Sequence, residues 1–551
     1  MNIAIAQINP TVGALEENAK KIENLLKKSE QKSDLIIFPE LSITGYPPQD
    51  LLFNEEFVRK NEEVLLELVE KEFKISGVVG FVELEEDKLY NSAAVFSNGK
   101  VIGKARKTLL PTYDVFDEER YFTHQNEDEI EPITIKTENG TYKLGVEICE
   151  DLWDEDYDIK VSDILAGKGA DIIINLSASP YYSGKIFERK SLLEEKAKKN
   201  KIPIIYANLV GGQDELVFDG FSMVVNASGD LISFGKQFKE DFFSIDPFTD
   251  FDSKQIPEYD ERAEIYNALV LGLRDYFRKT GFKKAVLGLS GGIDSSLSAC
   301  IATEALGSEN VIGVSMPSRY SSEHSKTDAK KLANNLNIKF VKFRIEKIFN
   351  AYKETLKKPL SEIRSEYKIR KEDDDPVADE NLQPRSRGNC LMDISNRLRK
   401  LGILVLNTGN KTELALGYCT LYGDMTGGIG AIGDLSKLQV YELSRYVNEK
   451  EGREVIPKNV LEKEPSAELK PDQTDPFNFK IVSPLVDEIV ENKKSKKELI
   501  NSGYPKETVE DIYQRIKNAE YKRRQMPPSI KITPQAFGIG WRMPIVNDFD
   551  G

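Results

Sequence analysis

The chain has 551 residues, more than one ordinary hydrophobic core accommodates, so we expect two or more domains. The formal net charge of −15 argues against general binding to nucleic acid or to an anionic membrane, because both need a basic surface. No apolar run approaches the length of a membrane span, and a strand pattern without a charged leader opens the chain, which predicts a cytoplasmic protein.

Histidine and cysteine are scarce in the chain. The two histidines disfavour a serine–histidine–acid triad. The four cysteines lie far apart and form no CxxC pair, so the sequence predicts neither a zinc site nor a disulfide framework. The cysteines are Cys149, Cys300, Cys390 and Cys419.

The periodicity of apolar residues predicts two α/β domains. Over 1–246, short apolar strands alternate with amphipathic helices, which is typical of one domain rich in strands. Residues 247–262 lose this periodicity and carry prolines and charges, so we interpret them as a linker. Over 263–551, the order strand, helix, strand predicts a doubly wound parallel sheet with right-handed crossovers. Residues 350–383 are highly charged, and we expect a solvated, mobile loop there.

A glycine-rich turn joins a buried strand to a helix in the run AVLGLSGGIDSSLSACIATEAL, which begins at Ala285. Glycine lets the backbone approach a ligand closely, and free N–H groups at a helix start attract anions. The alternative is a structural turn that needs glycine. The turn lacks the lysine of a Walker loop, so we expect a phosphate site of another kind. Its residues are Gly288, Leu289, Ser290, Gly291, Gly292, Ile293, Asp294 and Ser295.

The segment SGGIDSS within this turn resembles the pyrophosphate loop of ATP pyrophosphatases, which are ligases that adenylate a substrate and release pyrophosphate. The resemblance implies ATP as a substrate and attack at its α-phosphate. Within that superfamily, the NAD synthetase family is the most similar.

Three residues near strand ends of the first domain suggest a second chemistry. Glu40 follows DLIIFP, Lys107 lies in ARKTLLPTYDVFDEERYF, and Cys149 ends GVEIC. Taken singly, they are explained as a helix cap, a surface charge and a small buried apolar residue. Together they resemble the nitrilase, or carbon–nitrogen hydrolase, superfamily, which implies a four-layer αββα sandwich with a Glu-Lys-Cys triad.

The resemblance implies a role for each residue of the triad. Cys149 is the expected nucleophile, Glu40 the general base that takes the thiol proton, and Lys107 the cation that stabilises the developing negative charge. A second acid recurs near the lysine in this family, and it matches Glu118, with Glu119 as the alternative one residue away.

Nitrilase-like domains that are fused to NAD synthetases act as glutaminases. The resemblance therefore implies a glutamine pocket in the first domain. Ser179 alone is explained equally well as a turn former before Pro180. The residues that match the pocket are Tyr113, Glu150, Ser179 and Lys185.

The run LVLNTGNKTELALGYCTLYGDMTGGIGAIG, beginning at Leu404, resembles the NAD synthetase signature. The resemblance implies Asp294 and Glu413 as Mg²⁺ ligands, which agrees with the preference of Mg²⁺ for one or two carboxylates. The expected further contacts to ATP are Thr408, Lys437 and Ser466. The expected contacts to deamido-NAD are Asn381, Arg387, Glu413 and Lys522. Pro384 departs from the family pattern, in which alanine is usual.

These resemblances cover nearly the whole chain. They imply a glutamine-hydrolysing ligase that uses ATP with Mg²⁺ to amidate deamido-NAD, in a homo-oligomer that is an octamer by analogy. The products would be NAD, AMP, pyrophosphate and glutamate. Two alternatives stay open: another amidotransferase ligase with a pyrophosphate loop, or a synthetase that uses free ammonia and has a regulatory first domain.

Overall fold

The computed structural model describes residues 1–249, 251–470 and 473–549 and divides the chain into two units, Met1–Glu261 and Arg262–Gly551. The linker that we predict at 247–262 lies in the last part of the first unit, apart from Arg262, and its residue 250 is outside the described residues. No helix in the described parts of the chain combines the length and the apolar character that crossing a membrane requires.

Two mixed six-stranded sheets form the centre of the first unit, as far as the described residues show. The first has the order β14-β1-β2-β3-β4-β5, the second has the order β13-β12-β9-β8-β7-β6, and β10 pairs with β11. The strands are β1 (Ile3–Gln7), β2 (Leu35–Ile37), β3 (Ser76–Glu85), β4 (Lys88–Ser97), β5 (Lys100–Arg106), β6 (Ile133–Thr137), β7 (Gly140–Ile148), β8 (Ile172–Ser177), β9 (Ile204–Asn208), β10 (Val210–Gln213), β11 (Leu216–Asp219), β12 (Met223–Val225), β13 (Leu231–Phe234) and β14 (Asp241–Ile245).

The two sheets pack face to face, and helices cover both outer faces. Ile5 of the first sheet and Ile174 of the second belong to one core between the sheets, while their neighbours Ala6 and Ile173 face outward. Alternate side chains of a strand point to opposite faces, so strands covered on both sides are apolar throughout. The outer face of the first sheet packs on α1 (Leu15–Ser29) and α2 (Glu55–Val69), and that of the second packs on α3 (Val161–Gly167) and α4 (Lys185–Asn200). The predicted αββα sandwich is confirmed.

The second unit contains a parallel sheet of the order β17-β16-β15-β18-β19. The strand order changes direction between β15 and β18, and ligands of such sheets bind beyond the carboxyl ends of the strands at this point. The doubly wound fold is confirmed. The strands are β15 (Lys284–Gly288), β16 (Val311–Ser315), β17 (Lys339–Lys342), β18 (Ile403–Asn407) and β19 (Ile429–Gly430).

Helices pack around this sheet and form a further core near the C-terminal end, where α10, α13 and α15 meet. The helices of this part are α5 (Glu261–Thr280), α6 (Ile293–Leu306), α7 (Glu323–Asn335), α8 (Glu346–Tyr367), α9 (Val377–Arg397), α10 (Lys411–Leu416), α11 (Lys437–Glu451), α12 (Lys458–Glu462), α13 (Phe479–Val490), α14 (Lys496–Asn501), α15 (Lys506–Asn518) and α16 (Glu520–Arg523).

Our prediction of a solvated, mobile loop at 350–383 is wrong, because most of this segment lies in α8 and α9. The charges conceal a helical pattern. Leu356, Leu360, Ile363 and Tyr367 recur at spacings of three and four residues, as on one face of a helix. These side chains are exposed, and ion pairs such as Arg364 with Asp374 tie the segment locally.

Candidate active sites

The triad predicted in the first unit lies at strand ends. Glu40 follows β2, Lys107 directly follows β5, and Cys149 directly follows β7. All three side chains are buried. Because β5 belongs to the first sheet and β7 to the second, the site joins the two layers of the sandwich.

Lys107 lies between two carboxylates. Its Nζ donates to Oε1 of Glu40 at 2.9 Å and to Oε1 of Glu118 at 2.8 Å. Burial disfavours the charged form of the lysine, but Glu118 and Glu40 outweigh this effect and raise the pKa of Lys107 well above its usual range. The lysine therefore stays cationic, which electrostatic stabilisation of an oxyanion requires.

Further hydrogen bonds fix the two carboxylates. Oε1 of Glu40 also accepts from the Asn91 amide at 2.7 Å, and Oε2 accepts from the Ala178 backbone N–H at 2.8 Å. Oε1 of Glu118 also accepts from the Tyr46 hydroxyl at 2.8 Å. Of the two candidate acids, Glu118 is buried against Lys107, whereas Glu119 is exposed.

Cys149 has a positive φ of 46° in a short 3-10 turn, a backbone conformation that is uncommon for residues other than glycine. Burial raises the pKa of its thiol well above the usual range; Glu40 raises it further and Lys107 lowers it. The resting residue is therefore a neutral thiol. A base must remove its proton when it attacks, and Glu40 is the carboxylate that the sequence predicts for this task.

Of the four residues that match a glutamine pocket, Tyr113 and Glu150 contact each other, whereas Ser179 and Lys185 have other partners. The Tyr113 hydroxyl donates to both carboxylate oxygens of Glu150, at 3.0 and 3.1 Å. The buried guanidinium of Arg189 donates to the carbonyl and the hydroxyl oxygens of Ser179, at 3.1 and 3.3 Å.

Lys185, the fourth of these residues, is the first residue of α4. Its Nζ contacts the Tyr182 hydroxyl at 3.0 Å and Glu188 at 3.2 Å, and it lies 3.8 Å from the centroid of the Trp153 ring. Burial lowers the pKa of Lys185 to about 8, against the opposing effect of Glu188. The group is therefore a cation at neutral pH that loses its charge in mildly alkaline solution.

In the second unit, the glycine-rich turn runs from the end of β15 into the first turn of α6. The Ser290 hydroxyl accepts the Gly292 N–H at 3.1 Å and lies 3.1 Å from the Ser295 hydroxyl. Gly291 has a φ of +81°, and a Cβ at this position would lie 2.2 Å from the Ser325 carbonyl oxygen, so glycine is required here. The turn thus presents the N-terminus of α6 to a cavity beyond the sheet.

Lys437, at the start of α11, also lies between two carboxylates. Its Nζ donates to Oδ2 of Asp294 at 2.7 Å and to Oε1 of Glu413 at 3.0 Å. Asn410, the N-cap of α10, donates to Oδ1 of Asp294 at 2.8 Å and accepts the Glu413 N–H at 3.0 Å. Burial raises the pKa of Glu413 to about 7, and Lys437 opposes this shift.

A cavity of about 290 Å³ opens between the ends of β15, β16 and β18. Burial lowers the pKa of its Arg387 to about 10; the nearby Asp424 and Glu468 raise it. The predicted residues that line the cavity are Gly288, Leu289, Ser290, Gly292, Ile293, Asp294, Ser295, Arg387, Thr408, Glu413, Lys437 and Ser466.

Three predicted residues lie outside this lining. Gly291 packs against Ser325, as described above. Asn381 accepts a hydrogen bond from the Thr420 hydroxyl at 2.9 Å, and Lys522 donates to the carbonyl oxygens of Gly417 and Cys419, both at 2.8 Å. Asn381 and Lys522 therefore contact the 417–420 segment, of which Tyr418 and Cys419 line the cavity.

The sequence-based list of site residues omits several side chains that hold the predicted ones in place. Except for Arg189, each bonds to a residue at least 42 positions away, and no local motif marks such a pair. One spacing was usable: Asn410 stands three residues before Glu413, which is typical of a helix N-cap. The omitted residues are Tyr46, Asn91, Asp151, Arg189 and Asn410.

The fold and the sites define a class of two-part ligase, in which a carbon–nitrogen hydrolase unit is joined to a synthetase unit with a pyrophosphate loop. The family model for carbon-nitrogen hydrolase matches residues 2–246, and the one for NAD synthase matches residues 265–527. The glutamine-dependent NAD(+) synthetase of Synechocystis sp. is 44% identical over 99% of both chains. That of Thermotoga maritima is 42% identical over 100% of this chain and 99% of its own. The chain belongs to the glutamine-dependent NAD(+) synthetases.

Solved structures agree with this assignment. The glutamine-dependent NAD(+) synthetase of Acinetobacter baumannii, solved with adenosine diphosphate, is 37% identical, covers 99% of this chain and 98% of its own, and has a TM-score of 0.76. The enzyme of Cytophaga hutchinsonii covers 99% of this chain and 98% of its own at 22% identity, with a TM-score of 0.83, and supports the fold alone.

Proposed function

We propose that the chain amidates deamido-NAD to NAD with ATP and glutamine, and that AMP, pyrophosphate and glutamate are the other products. The observation that carries the proposal is that one chain holds two intact reactive centres: Lys107 with its carboxylates beside Cys149, and Lys437 with its carboxylates beside the glycine-rich turn. Membership of the glutamine-dependent NAD(+) synthetases supports the same reaction.

The first unit would release ammonia from glutamine. The Cys149 sulfur attacks the side-chain amide carbon while Glu40 takes the thiol proton, and Lys107 stabilises the oxyanion that forms. The C–N bond then breaks, and the departing nitrogen takes up the proton that Glu40 holds. Water hydrolyses the resulting thioester, which yields glutamate and restores the thiol. Glu118, hydrogen-bonded to Lys107, keeps that lysine charged throughout.

Glutamine would be oriented by the four matched residues around this centre. Lys185 offers a cation to the α-carboxylate of the substrate, and the carboxylate of Glu150 offers an acceptor to its ammonium group. Arg189 holds Ser179 by its carbonyl and hydroxyl oxygens and so fixes one wall of the pocket.

The second unit would activate the nicotinate carboxylate of deamido-NAD. A carboxylate has no good leaving group, so its oxygen first attacks the α-phosphate of ATP and pyrophosphate departs. Ammonia then attacks the acyl adenylate, and AMP leaves as the amide forms. The N-terminus of α6 and the Lys437 ammonium supply positive charge for the phosphates.

Mg²⁺ fits the donor set of this cavity. Asp294 and Glu413 both reach one cation, the Lys437 ammonium, so their oxygens converge on a single point. Two carboxylates, completed by phosphate oxygens and water, are the usual protein share of a Mg²⁺ site in a nucleotide enzyme. Mg²⁺ held by Asp294 and Glu413 would neutralise charge on the pyrophosphate as it leaves.

The remaining expectations come from the family resemblance or, for the location, from the sequence pattern. Assembly into a homo-oligomer of eight chains and a cytoplasmic location stay predictions. The same holds for the deamido-NAD contacts of Asn381, Arg387, Glu413 and Lys522.

Cys149→Ala is the first variant to measure. NAD formation from deamido-NAD and ATP is followed with glutamine or with ammonium as the nitrogen source. We expect loss of the glutamine reaction by at least ~10³-fold, because the nucleophile is gone, and an unchanged ammonium reaction. The proposal gives Cys390 no role, so the Cys390→Ala variant should retain both the glutamine and the ammonium reactions.

The alternatives predict different results. A synthetase with a regulatory first domain would use ammonium and show no glutamine reaction even in the wild type. Another ligase with a pyrophosphate loop would form no NAD from either nitrogen source.

A further inference from the structure

The nucleophile and the lysine of the first site belong to different layers of the sandwich. Lys107 extends from β5 of the first sheet, and Cys149 follows β7 of the second. The distance between the Cys149 sulfur and the Lys107 ammonium therefore depends on how the ends of β5 and β7 are held relative to each other. Apolar packing between sheets does not fix such a distance sharply, because it has no preferred direction.

One buried carboxylate links these two strand ends directly. Oδ1 of Asp151 accepts the backbone N–H groups of Thr108 at 3.0 Å and Leu109 at 2.8 Å, the two residues that follow Lys107. Oδ2 accepts the N–H of Ile148 at 2.9 Å, the residue that precedes Cys149.

Asp151 lies in the same turn as Cys149 and is 1% exposed. Water therefore does not replace these bonds when the carboxylate is removed, and the buried N–H groups are left without an acceptor.

We propose that Asp151 is a positioning residue of the glutaminase site, whose carboxylate sets the distance between the Cys149 thiol and the Lys107 ammonium. The proposal rests on the glutamine hydrolysis proposed above. Asp151 does not touch the substrate in this scheme; it acts through the backbone on both sides. The left-handed conformation of Cys149 adds to the need for such a link, because strained residues persist when their surroundings hold them.

Asp151→Asn separates this role from a general loss of structure. The side chain keeps its shape, and one oxygen can still accept from Thr108 and Leu109. The amide nitrogen then faces the Ile148 N–H, so two donors meet and the link to the Cys149 turn is lost. A displacement of about 1 Å at reacting groups costs about 10²-fold in rate, and we expect that loss in kcat for glutamate release.

The measurement has three parts. Glutamate release gives kcat and KM for glutamine, NAD formation from ammonium reports on the second unit, and thermal unfolding reports on the fold. For Asp151→Asn we expect a kcat about 100-fold lower, a KM within about 3-fold, an unchanged ammonium reaction and cooperative unfolding. Asp171→Asn is the matched control: its exposed carboxylate accepts the N–H of Lys143 at 2.7 Å, at the other end of β7. It should retain the wild-type kcat.

A double-mutant cycle tests the link to Lys107 without glutamine. The folded full-length protein is treated with iodoacetamide, and the rate of Cys149 alkylation is read from the peptide that carries it after digestion, for wild type, Lys107→Met, Asp151→Asn and the double variant. If Asp151 acts through the Lys107–Cys149 distance, Asp151→Asn should change the alkylation rate little in the protein that already lacks Lys107. The proposal would be overturned if the effects of the two substitutions on the alkylation rate multiply in the double variant. A wild-type kcat in Asp151→Asn would overturn it as well. If Asp151→Asn does not fold, Asp151→Glu, which keeps the carboxyl group but not its geometry, takes its place with the same expectations.

If the wild type releases no glutamate, the proposed function fails. The alkylation cycle still decides whether Asp151 positions the thiol.

Discussion

The two centres of this chain share a motif and differ in its surroundings. In each, a buried lysine donates to two carboxylates: Lys107 to Glu40 and Glu118, and Lys437 to Asp294 and Glu413. The carboxylates of the first centre are 0% and 6% exposed, whereas Asp294 and Glu413 are 19% and 21% exposed and face a cavity.

This difference in exposure indicates different modes of action. In the first centre, Asn91, Tyr46 and the Ala178 N–H hold the carboxylates as well, so the charges are already in place before a substrate arrives. Such fixed charges stabilise a transition state without reorganisation. In the second centre, Asp294 and Glu413 are the proposed ligands of Mg²⁺, and Lys437 would exchange partners if the metal bound to them.

Lys437→Met should have the largest effect among the variants that sharpen this contrast. It removes the ammonium group that balances the charges of Asp294 and Glu413 and that is expected to contact the phosphates of ATP. NAD formation should therefore fall about 10³-fold with either nitrogen source. Basal glutamate release without ATP should persist. Lys450→Met, on the same helix and paired with Glu304, is the control and should keep full activity. Loss of basal glutamate release would show that the two centres are not separable.

Glu118→Gln tests whether the first centre needs both carboxylates. The glutamine oxygen can still accept from Tyr46 and Lys107, but the negative charge that stabilises the cationic form of Lys107 is lost. We expect kcat for glutamate release to fall about 10²-fold, within the range for an acid–base residue. Glu119→Gln, one residue away and exposed, should stay within about 2-fold. Equal effects of the two substitutions would contradict the assignment of Glu118.

The pH dependence of glutamine binding reports on Lys185. Burial lowers its pKa to about 8, so the side chain is protonated at pH 7 and neutral at pH 9. The cation for the α-carboxylate is lost as the pH rises, and KM for glutamine should increase about 10-fold between pH 7 and pH 9. The arginine of Lys185→Arg keeps its charge over this range, so the KM of this variant should not rise with pH. A KM that rises equally in both enzymes would assign the effect to the glutamine ammonium instead.

Tyr113→Phe should have the smallest effect. Tyr113 is 53% exposed, and its hydroxyl donates to Glu150, so its removal alters the edge of the glutamine pocket but not the charges inside. We expect KM for glutamine to rise about 3-fold with kcat unchanged, which corresponds to one hydrogen bond near the surface. Tyr142→Phe, whose ring stacks on Phe248 elsewhere in the first unit, is the control. A fall in kcat would place Tyr113 in the fixed charge network.

The sequence predicts those features that follow from strand order and local motifs. Glu40, Lys107 and Cys149 each stand near a strand end in a local run that resembles the nitrilase superfamily, and that resemblance identifies them together. The hydrogen bond from Asn91 to Glu40, by contrast, joins residues 51 positions apart, and the one from Ala178 joins residues 138 apart. Such pairs depend on how strands align within a sheet, as for Asn91, or between the two sheets, as for Ala178, and periodicity does not contain this alignment.

Two further points show the same limit. The choice between Glu118 and Glu119 is a question of which side chain turns inward, and in a 3-10 turn a one-residue shift reverses the answer. In α8, the many charges suggest a loop, but the apolar residues at helical spacing determine the structure.

The order of strands in the second unit has a consequence for folding. Asp294 follows β15, whereas Asn410, which holds it, follows β18 and lies 116 residues further along the chain. Contacts between residues so far apart form late, because the entropy of closing the intervening chain must be overcome first. The glycine-rich turn, β15 and α6 are contiguous and need no such closure. During synthesis, the glycine-rich turn therefore emerges well before β18, and the Asn410–Asp294 hydrogen bond is absent until β18 pairs with β15.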